Sequence, residues 1–148
     1  MFNGYVKQML IIINLLLVTG SVFAKPLSAC IERSDAEYRQ LLLGKWIGTE
    51  EVNARGEAYV SETTNYEDGT LFCKLHIKTS SDKVTNIIRG KWDVAKGISY
   101  QFATSTEPKE LLKIFRNQVI ADKIICMSAN KLVIRARNGG RLEYNKAL

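Results

Sequence analysis

The stretch Leu41-Leu42-Leu43-Gly44-Lys45-Trp46-Ile47-Gly48-Thr49-Glu50-Glu51 decides the fold. A short apolar run ends at a glycine, and a tryptophan stands two residues later. From Lys45 onward polar and apolar residues alternate as they do along a half-buried strand. Just upstream, Ser34-Asp35-Ala36-Glu37 is a capping box: the serine hydroxyl accepts from a first-turn N–H while the glutamate reaches back to the cap. This predicts a helix of about two turns from Asp35 to near Leu43, ended by Gly44.

Downstream, the turns set the expected strands. Asn53-Ala54-Arg55-Gly56-Glu57 reads as a three-residue hairpin loop with Gly56 at positive φ. It pairs Gly48 with Glu62 and Glu50 with Val60. Asp68-Gly69 reads as a two-residue type I′ turn, placing Tyr66 opposite Leu71, Thr64 opposite Cys73 and Glu62 opposite Leu75. In the next strand Ile88, Gly90, Trp92 and Val94 share one side. A loop at Ala95-Lys96-Gly97 sets Trp92 against Tyr100, with Phe102 continuing that face. Glu107-Pro108-Lys109-Glu110 resembles a helix start, so a short lid helix is expected near residues 108–116. Segments 119–127, 131–137 and 141–146 finish as strands, with Asn138-Gly139-Gly140 setting Ala136 against Leu142 and Ile134 against Tyr144. The expected fold is all-β: an antiparallel up-and-down meander of about eight strands, closed into a small barrel that leaves no sheet edge exposed.

The bulk numbers fit one domain over residues 31–148, preceded by a targeting segment. Lys7 is the only charge in the first 24 residues, Met9 to Val18 is apolar except for Asn14, and Val22-Phe23-Ala24 has small residues where a signal peptidase reads. That is the pattern of a signal peptide over residues 1–24, too short and interrupted for a membrane span. A second reading ends the leader at residue 29, because Leu27-Ser28-Ala29-Cys30 resembles a bacterial lipobox with Cys30 as the lipidated residue. Lys25-Pro26 before the box stands against it. Either way the chain is exported: to the bacterial periplasm, to the outer membrane as an anchored lipoprotein, or secreted. Lipidation of Cys30 would leave Cys73 and Cys126 as an even pair for an oxidising compartment, closing a loop of about 50 residues and stabilising by roughly 4 kcal/mol. Without lipidation, Cys30 pairs with either.

The net charge of +6 is unevenly placed: residues 31–82 carry 6 basic and 10 acidic side chains, residues 83–148 carry 13 and 5. The simplest expectation is that acidic early strands pair with basic late ones in the closed sheet. A nucleic-acid partner is not expected of an exported protein, and a membrane partner only through a lipid anchor. A monomer is expected.

Leu43-Gly44-Lys45-Trp46 after a short helix, Tyr66-Glu67-Asp68-Gly69-Thr70, the second Gly90-Lys91-Trp92, and the closing Leu132-Val133-Ile134 with Gly139-Gly140-Arg141-Leu142-Glu143-Tyr144 together resemble the lipocalin and fatty-acid-binding superfamily. The likeness is nearest to the small bacterial lipocalin-like families and spans about residues 38–146. It implies that Gly44 bends the first strand, Trp46 plugs one barrel end, and a late arginine (Arg135, Arg137 or Arg141) packs over the ring. At about 105 residues from Gly44 to the C-terminus, the chain is short for a ligand carrier.

Nothing in the chain names a reaction. No nucleophile elbow, zinc-protease helix, C-x-x-C pair or phosphate loop is present, and with one histidine, His76, neither a metal nor a cofactor is expected. Inward residues on the expected register are Trp46, Glu50, Glu62, Thr64, Asn86, Trp92, Tyr100 and Phe102, with Tyr66 beside them. They are the candidate lining for a small apolar or amphipathic ligand. A barrel filled by its own side chains would instead suit contact with an envelope protein through the rim. An acid/base pair of Glu50 and Glu62 is the remaining, catalytic, expectation.

Overall fold

A computed structural model describes residues 30–52, 55–115 and 118–148. The expected leader at 1–24 and the loop residues 53–54 lie outside them. The elements are α1 (Asp35–Leu42), β1 (Gly44–Gly48), β2 (Glu51–Val52), β3 (Ala58–Asn65), β4 (Thr70–Lys78), β5 (Lys83–Ala95), β6 (Ile98–Glu107), a 3-10 turn (Lys109–Leu111), α2 (Leu112–Phe115), β7 (Ile120–Met127), β8 (Lys131–Arg135) and β9 (Arg141–Lys146). From β2 onward each strand pairs antiparallel with the next, and β1 pairs with both β9 and β3, so the sheet closes on itself. With β1 and β2 as two parts of one bent stave, this is an eight-staved meander barrel.

The Leu-Gly-Lys-Trp stretch builds one end of it. Ser34 and Glu37 form the expected capping box at the start of α1. At the other end the chain turns at Gly44, whose φ of +91° a side chain would resist. The reversal brings the Trp46 indole back over the helix. Its N–H donates to the Leu42 carbonyl at 2.9 Å, the Asn65 amide donates to the same oxygen at 3.0 Å, and Lys146 Nζ donates to the Leu41 carbonyl at 3.0 Å. Carbonyls that a helix C-terminus leaves open are thus satisfied, with a cation at the negative end of the dipole. Lys146 also lies over the Trp46 ring, 5.2 Å from its centroid. The cation over the Trp46 ring is thus Lys146 and not the expected Arg141, which points outward to Glu143 at 3.0 Å.

The second Gly-Lys-Trp plays a related part. The Trp92 indole donates to the Tyr66 carbonyl at 2.9 Å. A Cβ on Gly90 would lie 2.1 Å from the Phe102 carbonyl oxygen, so this position needs glycine where β6 bulges against it. Tyr38, Leu42, Trp46, Leu71, Trp92, Val94, Ile124, Met127, Leu132 and Ile134 form one buried core between α1 and the lower barrel wall.

The β3–β4 and β5–β6 registers differ from expectation because their turns have a different length. The β3–β4 loop has three residues, Glu67-Asp68-Gly69: the Tyr66 N–H donates to the Thr70 carbonyl, and the Asp68 carboxylate accepts from both the Thr70 amide and hydroxyl. Asn65 therefore faces Leu71 and Thr63 faces Cys73. A one-residue slip reverses a strand's faces. Glu62 and Thr64 turn outward, and Tyr66 is exposed.

The β5–β6 loop has two residues, with Lys96 at φ +54° and Gly97 at φ +68° as a type I′ turn requires. Asp35 at the start of α1 accepts from both of their amides, at 2.8 and 2.9 Å, and so holds the lysine in a conformation it would otherwise resist. Ser99 turns inward, and Tyr100 and Phe102 outward. The β8–β9 register shifts by two, Ile134 facing Leu142 and Leu132 facing Tyr144, which preserves the faces.

The disulfide is Cys30–Cys126, with a Cα–Cα distance of 5.2 Å. Cys126 pairs with Val133 on the outer side of the wall and Cys73 packs against the inner core, so the expected Cys73–Cys126 bridge fails on facing alone. The bridge occupies the sulfur that lipidation of Cys30 would need. A disulfide of this kind suits an oxidising compartment.

Candidate functional site

Burial of the inward side chains changes along the strands, and this locates the site. Toward the α1 end they are buried: Asn65 and Thr63 on β3, Leu71 on β4, Trp92 and Val94 on β5, Ile124 on β7. Toward the other end the inner face is only half-buried, at Tyr59 and Ser61 on β3, Cys73, Leu75 and Ile77 on β4, Asp122 on β7, and Leu142 and Tyr144 on β9. One half of the barrel is solid and the other retains accessible surface. The segment after β6 covers part of that second half. Leu111, Ile114 and Phe115 bury themselves against Leu75, Ile88 and Ala103, as the apolar spacing after Pro108 predicts. Pro108 itself stands at the cap in extended conformation rather than inside the helix.

Two carboxylates stand on this half-buried inner face, and neither is one that the alternation selected. Between β1 and β2 the register to β3 changes by one, from Ile47↔Glu62 to Glu51↔Tyr59. Thr49 meanwhile bonds back to the Glu143 carbonyl at 3.0 Å. Such a bulge re-aims the side chains beyond it. Glu51 turns inward to accept the Tyr59 hydroxyl, and Glu50 is left exposed. Glu62 stands on the outer wall in an ion pair with Lys45 at 2.6 Å and beside His76 Nε2 at 3.3 Å, where the lysine contact holds its carboxyl below the usual range. Glu50 and Glu62 do not converge, which removes the expected acid/base pair. Asn86 is inward and buried as expected, whereas Thr64 and Phe102 lie on the outer face.

The observed cluster is Glu51, Tyr59, Ser61, Asp122 and Tyr144. Gly48 makes room for it: a Cβ there would lie 3.0 Å from Ser61 Oγ and 3.2 Å from the Tyr144 ring. Burial raises the Glu51 carboxyl, opposed by its bond from Tyr59. Burial alone pushes Asp122 up to about 6. Tyr59 and Tyr144 are raised by burial first, then by the hydroxyl–carboxylate bond to Glu51 in one case and by the Asp122 charge in the other, so both stay protonated donors. Cys73, raised by burial, borders the cluster. Within the sequence, Asp122 carried a readable signal, since Ile120, Asp122 and Ile124 alternate and two of the three are apolar. Glu51 carried none, because only the bulge brings it in.

The arrangement offers hydrogen-bond donors and two carboxylates on one wall, with Leu75, Ile77, Ile88 and Leu142 beside them. No group of His, Cys, Asp and Glu that would hold a metal occurs among the described residues. A depression of about 290 Å³ at the β3–β5 wall reaches Tyr59 of this cluster and Ile77 beside it, and is bordered further out by Glu50, Val60, His76, Lys78 and Lys83.

Fold and site together define a small meander barrel, solid at one end and polar-walled at the other. No protein-family model matches the chain, and no curated protein matches it.

Proposed function

We propose that this is an exported, lipocalin-like binding protein that holds a small amphipathic molecule in the half-open end of the barrel. The observation that carries the reading is the gradient of inner-face burial: a filled barrel would bury Tyr59, Leu75, Asp122 and Tyr144 as fully as Trp46 and Trp92. The solid α1 end leaves no room for a long chain, so the ligand is short. Its polar end meets Glu51, Tyr59, Asp122 and Tyr144. Two carboxylates in a sparsely hydrated wall favour a cationic or donor-rich head, since a buried charge is costly until paired. Its apolar part lies on Leu75, Ile77 and Ile88 under the lid of α2.

Native mass spectrometry of the protein isolated from its own source tests this. A bound small molecule is expected on the wild type and is expected to be lost or reduced in Asp122→Asn and Tyr59→Phe, both folded. A protein that carries nothing, and that takes up no amphipathic amine when offered a panel of them, overturns the proposal.

A further inference from the structure

We propose that the outer face of β7, β8 and β9 docks onto an anionic lipid bilayer. The observation is a row of like charges. Lys123 stands directly opposite Arg135, and Arg135 directly opposite Arg141, across three neighbouring strands. All three are exposed, as is Arg137 in the turn beyond. Like charges in direct cross-strand register repel, and a fold gains nothing from aligning them unless an anion lies over them.

Among the described residues, the neighbouring carboxylates reach only the Arg141 end of the row and leave Lys123 and Arg135 uncovered. Glu143 is engaged by Lys131 at 2.9 Å and Arg141 at 3.0 Å, and Asp122 points into the barrel. The expected neutralisation of basic late strands by acidic early ones does not reach this face. The ion pairs around Glu62, Glu107 and Glu143 each join residues from the same half of the chain.

Chemistry beside the row favours lipid over nucleic acid. Val119, just before β7 and on the same side of the strand as Lys123 by alternation, is 54% exposed. An aliphatic side chain bordered by cations suits the headgroup–acyl boundary. A nucleic-acid platform needs exposed aromatic rings for base stacking, and the aromatic ring of these three strands, Tyr144, faces inward. The surface is independent of the proposed ligand site, so either stands without the other.

Co-sedimentation of the intact protein with vesicles decides it. Binding to phosphatidylcholine vesicles containing about one-third phosphatidylglycerol is expected, with none to pure phosphatidylcholine and loss of binding in high salt. Each cation near such a surface contributes about fivefold, so the triple variant Lys123→Gln, Arg135→Gln, Arg137→Gln is expected to weaken binding about a hundredfold. Val119→Ser, which leaves the charge unchanged, is expected to weaken it several-fold. Lys74→Gln, Lys78→Gln, Lys83→Gln removes as many charges from the β4–β5 wall and is expected to leave binding within about twofold. All the substituted positions are exposed, and retention of the disulfide and the far-ultraviolet spectrum confirms folding. Failure to bind anionic vesicles overturns the proposal. So does equal weakening by both triple variants, or tighter binding to a single-stranded oligonucleotide than to the vesicles.

Discussion

Replacing Asp122 by asparagine is expected to stabilise the ligand-free protein, by an amount that depends on pH. Burial raises this carboxyl from 3.8 to about 6. Because the folded-state value is the higher one, the folded protein binds more protons than the unfolded chain between the two, and stability falls as pH rises through that window. At about pH 3 and below the group is neutral in both states and contributes no pH-dependent cost. Above about pH 6 the full cost is present: roughly two units at about 1.4 kcal/mol each, or up to about 3 kcal/mol. Asparagine keeps the shape without the charge. Urea unfolding of wild type and Asp122→Asn at about pH 3 and about pH 7.5 is expected to show a difference near zero at the lower pH and about 2–3 kcal/mol in the variant's favour at the higher. Glu51, also raised by burial, and Glu62 and Glu143, lowered by their cations, add their own pH dependence. They are present in both proteins and drop out of the comparison. A difference that does not change with pH, or a variant less stable at pH 7.5, refutes the placement of Asp122 inside the barrel. Stability gained where ligand affinity is lost is the usual signature of a site residue.

Other perturbations have equally definite outcomes. Gly90→Ala puts a methyl against the Phe102 backbone oxygen and is expected to cost at least about 3 kcal/mol in thermal or urea unfolding, because strand backbone cannot give way as a side chain can. Trp46→Phe keeps most of the apolar volume and removes the donor to Leu42. About 1–3 kcal/mol is expected, with fraying of α1 visible in amide exchange. Breaking Cys30–Cys126, which joins residues 96 apart, is expected to cost about 4–5 kcal/mol, whereas Cys73→Ala leaves the non-reducing mass and bridge intact.

Sequence patterns that depend on neighbours along the chain were legible. The capping box, the Gly44 reversal, the inward facing of Trp46 and Trp92, the lid segment after Pro108 and the closed meander all follow from local chemistry. Faces were less secure, because each depends on a count of turn residues. Asp68-Gly69 matches a two-residue loop, yet the Asp68 carboxylate closes a three-residue one on Thr70. Lys96 would ordinarily avoid a positive φ, yet Asp35, far away in sequence, holds it there. Each such choice moves a strand by one residue and exchanges its inside for its outside. This is how Glu62, Thr64, Tyr100 and Phe102 left the expected lining, while Tyr59 and Ser61 entered it. Glu50 and Glu51 exchanged places through a bulge that no residue type announces. The bridge partner of Cys126 was likewise a question of facing rather than spacing.

The most direct test of the binding site is nuclear magnetic resonance of the labelled protein with its bound molecule or a short amphipathic amine. Contacts from the ligand to the ring protons of Tyr59 and Tyr144, with carboxyl shifts at Glu51 and Asp122, are the expected result. Contacts confined to the outer wall around Glu50, Glu62 and Phe102, or none inside the barrel, would contradict it.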